Sequence, residues 1–182
     1  VKDQLLDNMG KKWFKRHQPV GCRDPYTLKA MKDARIDAYL SGCLTTTFHN
    51  PYNYRTNEIY FTDLLFRVPG WSNVTRTFKE FLKSILYGDF LNVGQRGRLL
   101  KKIFTSQLLE KAVSISHYHP SRHTERERFE LAEDFLKKYA TAKMVVTSRL
   151  HCALPCLAFG TPVIFVHFGF KNDYDSCRLA GV

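Results

Sequence analysis

No stretch of this 182-residue chain approaches the roughly 20 consecutive apolar residues that a membrane-spanning helix needs. The N-terminal segment alternates charged with apolar residues and has no apolar signal-peptide core. Cysteine is sparse: Cys22, Cys43, Cys152, Cys156 and Cys177 are odd in number and irregularly spaced. They make no disulfide framework and read as reduced, mostly buried thiols of a cytoplasmic protein. Cys152 and Cys156 fall on one helix face, yet no second pair completes a zinc site. Gly-x-Gly-x-x-Gly is missing, as is a Gly-Lys-Ser/Thr loop, which argues against a dinucleotide cofactor and against NTP hydrolysis. Internal repeats and low-complexity tracts are also missing. The first residue is Val, so the chain is expected to be processed or to be part of a longer one.

Acidic residues are few: 17 Asp+Glu stand against 28 Lys+Arg, a formal net charge of +11. Nucleic acid, a small phosphorylated substrate or an anionic membrane surface would each suit that balance. The basic residues are spread along helices, with no aromatic RNP pattern, C2H2 spacing or helix-turn-helix beside them. They read mostly as a solvated face, and nucleic acid is not expected as a partner. The 44% apolar content is enough for a real core, which excludes a wholly disordered chain.

Hydrophobic periodicity alternates between strand and helix. A helical stripe over residues 3–17 ends at Pro19, and Val20-Gly21-Cys22 follows as a short buried strand. Asp24-Pro25 reads as an N-cap with Pro at the first helical position, and Ile36 to Leu40 leads into a second strand. Residues 50–57 are polar and turn-rich, a candidate linker. Glu58 to Asp63, Ala112 to His117, Lys143 to Thr147 and Thr161 to Val166 read as further strands. Helical stripes lie at 78–86 and 99–109. The clearest helix spans 124–140, with Phe129, Ala132, Phe135, Leu136 and Tyr139 on one face, and another runs from Ser148 to Phe159. The alternation predicts parallel βαβ units, hence an α/β fold with its sheet covered on both faces.

One segment carries the most chemistry. The strand ending at Thr147 hands over to a helix for which Ser148 is a good N-cap, with Arg149 and His151 in the first turn. Ligands of open α/β sheets bind beyond the carboxyl ends of the strands, where helix N-termini favour anions. Arg149 adds a planar fork for phosphate or carboxylate, and His151 a group able to move a proton near neutral pH. On position alone, Arg149 as a surface cation and His151 as a capping or packing residue read equally well. Arg23 holds the equivalent place after the first strand; a salt bridge to Asp24 is the plainer reading of it. His117, His119 and His123 read as loop histidines, because no carboxylate or Cys sits at a ligand spacing. Asp173-x-Asp175 reads as turn acids, and no metal site is expected.

Gly21-Cys22-Arg23-Asp24, Ser41-Gly42-Cys43-Leu44-Thr45, Glu127-Arg128-Phe129 with Ala132, and Thr147 to Pro155 through Gly160-Thr161-Pro162-Val163 together resemble the polysaccharide pyruvyl transferases. The block over 145–166 is the specific one. The resemblance implies a GT-B-like pair of Rossmann-type domains with the active site in the cleft between them. It further implies that residues 1–49 are the remnant of an N-terminal domain largely missing here, 50–57 the linker, and 58–182 the C-terminal domain. The family moves the pyruvyl group of phosphoenolpyruvate onto two hydroxyls of one sugar, releasing phosphate. By resemblance Arg23 and Arg149 grip the donor from the two domains, the backbone near Leu150 assists, and His151 is the general acid. Lys171 stands where some members carry a basic residue facing the donor, in an untypical context. The implied acceptor is a glycan or lipid-linked sugar, the protein is placed in the cytoplasm with peripheral membrane association left open, and no cofactor is implied beyond the donor itself. Two other readings are a glycosyltransferase of the same fold using a nucleotide sugar, and a nucleic-acid-binding module resting on charge alone.

Overall fold

The computed structural model describes residues 5–65, 89–118, 123–168 and Leu179. The stripe at 78–86, Lys171, and the Asp173-x-Asp175 pair lie outside the described residues. Helix α1 (Asn8–Arg16) leads into β1 (Val20–Cys22), α2 (Pro25–Asp33) and β2 (Ala38–Leu40). The two strands pair in parallel, Val20 opposite Ala38 and Cys22 opposite Leu40. The Asp24 carboxylate caps α2 by accepting from the Thr27 N–H at 2.8 Å, with Pro25 at the first position. Cys22, Met31, Ile36 and Ala38 form the buried core of this unit, and Phe14 of α1 packs against it.

A 3-10 turn, Leu44–Thr47, follows, and the chain then enters a four-stranded sheet. Its strands are β3 (Ile59–Thr62), β4 (Ala112–Ile115), β5 (Met144–Thr147) and β6 (Val163–Phe165). All pair in parallel, in the order β4-β3-β5-β6. The intervening helices are α3 (Asp89–Ile103), α4 (Ser106–Lys111), α5 (Glu125–Thr141) and α6 (Leu150–Ala158). Successive strand residues face opposite ways, and here both faces are filled. Val145 packs with Tyr139, Ala142, Cys152 and Cys156 of the α5–α6 side. Val146 packs with Phe61 and Leu64 on the other side, against Leu100 of α3 and Leu108 of α4. The fold is therefore mixed α/β with parallel sheets.

Residues 50–57 run between the two sheets and are pinned to the larger one. The Arg55 guanidinium donates to the carbonyls of Ala140, Ala142, Phe159 and Gly160 and to the Thr161 hydroxyl, at 2.8–3.4 Å. Asn50 adds bonds to Ala140 and Phe159. The last carbonyls of a helix have no internal donor, and one arginine supplies them for both α5 and α6. Gly160, at φ +65°, makes the turn beyond α6 that a side chain would strain.

Helix α5 departs from its expected packing. Only its last turns, at Tyr139, Ala140 and Thr141, are buried, whereas Phe129 is 72% exposed. Part of the apolar stripe that periodicity assigns to the core instead borders an open hollow.

Candidate functional site

The carboxyl ends of the four strands bring Asp63, His117, Arg149 and His167 to one edge of the sheet. At the end of β5 the Thr147 hydroxyl donates to the Thr62 carbonyl at 2.9 Å and accepts from the Arg149 N–H at 3.0 Å. Ser148 is buried, but its hydroxyl accepts from the Leu65 N–H at 3.2 Å rather than capping α6. Arg149 itself holds the N-cap position, in extended backbone and with no side-chain capping bond. The helix thus starts one residue later than the expected Ser148 cap implies, with Leu150 first and His151 second. The N–H groups at these positions point out of the helix end and have no intrahelical acceptor.

Asp63 organises the edge. It is 7% exposed and sits at φ +45°, the left-handed region that Asp tolerates better than most residues. Its Oδ2 accepts from Arg149 Nε at 3.0 Å and from the His117 N–H at 3.1 Å, while Oδ1 accepts from the Ser116 hydroxyl at 2.7 Å. A buried carboxylate needs such partners, because its desolvation is otherwise uncompensated. The Arg149 side chain is about a third exposed, so the pair joins the interior to solvent. Arg96 of α3 stands half-buried within Coulombic reach of Asp63; burial pushes its ionisation down and the Asp63 charge partly restores it.

A cavity of about 460 Å³ opens on the other flank of His151. His117, His123 and His151 line it together with Arg128 and Thr45, and its apolar walls come from Phe48, Phe135, Leu136, Tyr139 and Pro155 among others. His117 Nε2 is bonded to the Tyr139 hydroxyl, and its ring meets the Phe135 ring edge-on at 4.8 Å between centroids. Burial, and next the neighbouring Cys152, push the Tyr139 hydroxyl far above its ordinary range. Tyr139 is therefore neutral and able to donate or accept. The Cys156 thiol is likewise raised, by its bond with Cys152 and by burial. Both sulfurs are fully buried, which suits core packing, not reactivity.

Of the expected site residues, Arg149, Leu150 and His151 lie together at the head of α6. Arg23 follows β1, where its terminal nitrogen lies 3.4 Å from Asp24 Oδ2 and its side chain is 40% exposed. Arg23 is not among the residues lining the cavity, and Lys171 lies outside the described residues. Sequence reasoning missed Asp63 and Arg96, and it did not bring His117 and His123 to His151. The one available signal was an aspartate closing an apolar strand and followed by two leucines. Among the described residues no group of three or more His, Cys, Asp or Glu side chains could hold a metal ion. Nor, among them, is any helix long and apolar enough to cross a membrane.

A family model for polysaccharide pyruvyl transferases matches residues 1–166 of the 182. No curated protein sequence matches the chain. No solved structure matches it.

Proposed function

The chain belongs to the polysaccharide pyruvyl transferase family, and from that premise we propose that it transfers the pyruvyl group of phosphoenolpyruvate to a sugar of a glycan or lipid-linked precursor. The product is a ketal of pyruvate, and phosphate is released. The observation that carries this reading is the head of α6, where Arg149, held by buried Asp63, stands beside Leu150 with His151 next to it. A doubly anionic donor suits this place: the guanidinium fork and the outward N–H groups meet its phosphate or carboxylate.

His151 donates a proton to the donor's methylene carbon, which becomes the methyl group, while one sugar hydroxyl bonds to the adjacent carbon and loses its proton. The bond to the phosphate oxygen then breaks. The second hydroxyl closes the ketal, and its proton leaves with the phosphate. An imidazole is matched to both directions of transfer near pH 7. As written, the sequence of steps calls for no metal or cofactor.

In this reading Arg23 supplies the second guanidinium from the β1–β2 unit across a GT-B-like cleft, and Lys171 adds positive charge near the donor. The protein works in the cytoplasm, and a lipid-linked acceptor would draw its +11 charge to an anionic membrane surface.

The test is phosphate release from phosphoenolpyruvate by the intact protein in the presence of sugar acceptors. His151→Ala is expected to lower kcat by about 10²–10⁴ with little loss of stability, since His151 is exposed. Near-normal rates in both His151→Ala and Arg149→Ala would refute the mechanism. Saturable thermal stabilisation by a nucleotide sugar, with none from phosphoenolpyruvate, would point to glycosyl transfer instead.

A further inference from the structure

We propose that helix α1 docks the protein on an anionic lipid surface, laying Met9 and Trp13 into the interface while Lys12 and Arg16 meet the headgroups. The membrane attraction given above rests on total charge; α1 gives it a place, and it stands whether or not pyruvyl is transferred.

Exposure is the first argument. Met9 is 79% and Trp13 57% exposed. Scattered exposed apolar residues are ordinary, but these two lie one turn apart on the same face of one helix. At 3.6 residues per turn, Lys12, Arg16, Met9 and Trp13 fall within an arc of about 100°, centred about 150° from Phe14. Phe14 is the α1 side chain that packs against the core of the β1–β2 unit. The helix is therefore held by one side and presents the other outward.

Charge is the second. The nine residues of α1 include Lys11, Lys12, Lys15 and Arg16 and no acid. Asp7, at the N-cap, accepts from the Gly10 N–H at 2.7 Å. None of the four cations makes an ion pair among the described residues. On α2 and α5, by contrast, exposed cations find an acid one turn away: Lys29 with Asp33, Arg126 with Glu130, Lys138 with Asp134. Four cations on one amphipathic helix are enough to recognise an anionic leaflet.

The indole is the third. The His17 ring stacks on Trp13 at 4.3 Å between centroids, and His17 Nδ1 donates to the Trp13 carbonyl at 2.8 Å. These contacts order the indole before it meets a lipid, which lessens the entropy lost on docking. An indole is amphipathic and collects at headgroup level, and Lys and Arg stems lie along apolar surface while their heads reach phosphates. A nucleic acid would answer the charge but leave Met9 in water. An anionic bilayer answers both.

The test is cosedimentation of the intact protein with phosphatidylcholine vesicles, with and without about 30% phosphatidylserine. Binding is expected only to the vesicles containing phosphatidylserine, and is expected to be lost at about 0.5 M salt. Lys12→Gln combined with Arg16→Gln should lower the partition coefficient about tenfold or more. Lys101→Gln with Lys102→Gln removes the same charge from exposed positions of α3 and should lower it by less than about threefold. The vesicles should also blue-shift the tryptophan fluorescence. Trp13→Ala should abolish that shift and weaken binding about fivefold. Equal losses from the α1 and α3 pairs would return the effect to total charge and overturn the proposal. So would equal binding to both kinds of vesicle, binding to neither, or a shift that survives Trp13→Ala. A dimer in solution that Trp13→Ala dissociates would make this face a protein interface and overturn it too. Phosphate release from phosphoenolpyruvate with a soluble sugar acceptor is expected unchanged in the Lys12→Gln, Arg16→Gln variant, so docking and pyruvyl transfer fail separately.

Discussion

Arg23 and Arg149 occupy matching places, each at the carboxyl end of a parallel strand and just before a helix, but the fold treats them differently. Arg23 leans on its own neighbour Asp24 at 3.4 Å, and Asp24 in turn caps α2. Arg149 occupies the cap position itself and is held by Asp63, a buried residue that follows the neighbouring strand β3. A local pair needs nothing from the rest of the chain. A partner drawn from the end of the adjacent strand fixes a guanidinium relative to the whole sheet, which is what a binding fork requires.

Removing each arginine gives the largest contrast. Arg149→Ala is expected to raise the phosphoenolpyruvate KM about 10–100-fold, as charge-assisted bonds of about 1.5–3 kcal/mol imply. Arg23→Ala, with its looser hold and greater exposure, is expected to raise it by less, about 3–10-fold. Steady-state phosphate release reads both, and equal effects would erase the distinction drawn here.

Asp63→Asn gives the next. The amide oxygen keeps the Ser116 bond, but an NH2 group then faces the Arg149 Nε–H and the His117 N–H, two donors that lose their acceptor. The expected result is a phosphoenolpyruvate KM up about tenfold, with a thermal-melt loss of about 1–3 kcal/mol. Asp63→Glu, which keeps the charge, should recover part of the KM; a melt loss with unchanged KM would reduce Asp63 to a purely structural role.

Asp24→Asn gives the smallest. Burial opposes the charged form of Asp24, but bonds from Thr27 and Arg23 outweigh it and hold the carboxyl below its ordinary value near 3.8. A depressed carboxyl contributes stability above that value and loses it as pH falls through the folded value. The amide oxygen can still cap the Thr27 N–H and only the charge is lost, so the variant should be less stable by about 0.3–1 kcal/mol near neutral pH. The gap to the parent protein should begin to narrow as pH falls below about 4 and close only below the lowered folded value. Urea titrations at several pH values read it.

Sequence revealed the strands well, because short β-branched runs bounded by Pro, Gly or Asp leave little choice of state. Val145 and Val146 pack on opposite faces as a doubly covered sheet requires. The strand-to-helix junction after Thr147 was legible because it is a local pattern, although the helix begins one residue later than the expected Ser148 cap implies. Asp63 was hidden because its partners lie 53 and 86 positions away. Arg55 was hidden for a different reason: it serves main-chain carbonyls, which no side-chain pattern announces. The stripe of α5 was visible as apolar, but periodicity does not distinguish a face turned to a core from one turned to a cavity.

The most direct test is a crystal structure of the intact protein with phosphoenolpyruvate bound. An anionic group of the donor is expected against the Leu150 N–H and the Arg149 guanidinium, with its methylene carbon facing His151. A donor held elsewhere, out of reach of both Arg149 and His151, would contradict it.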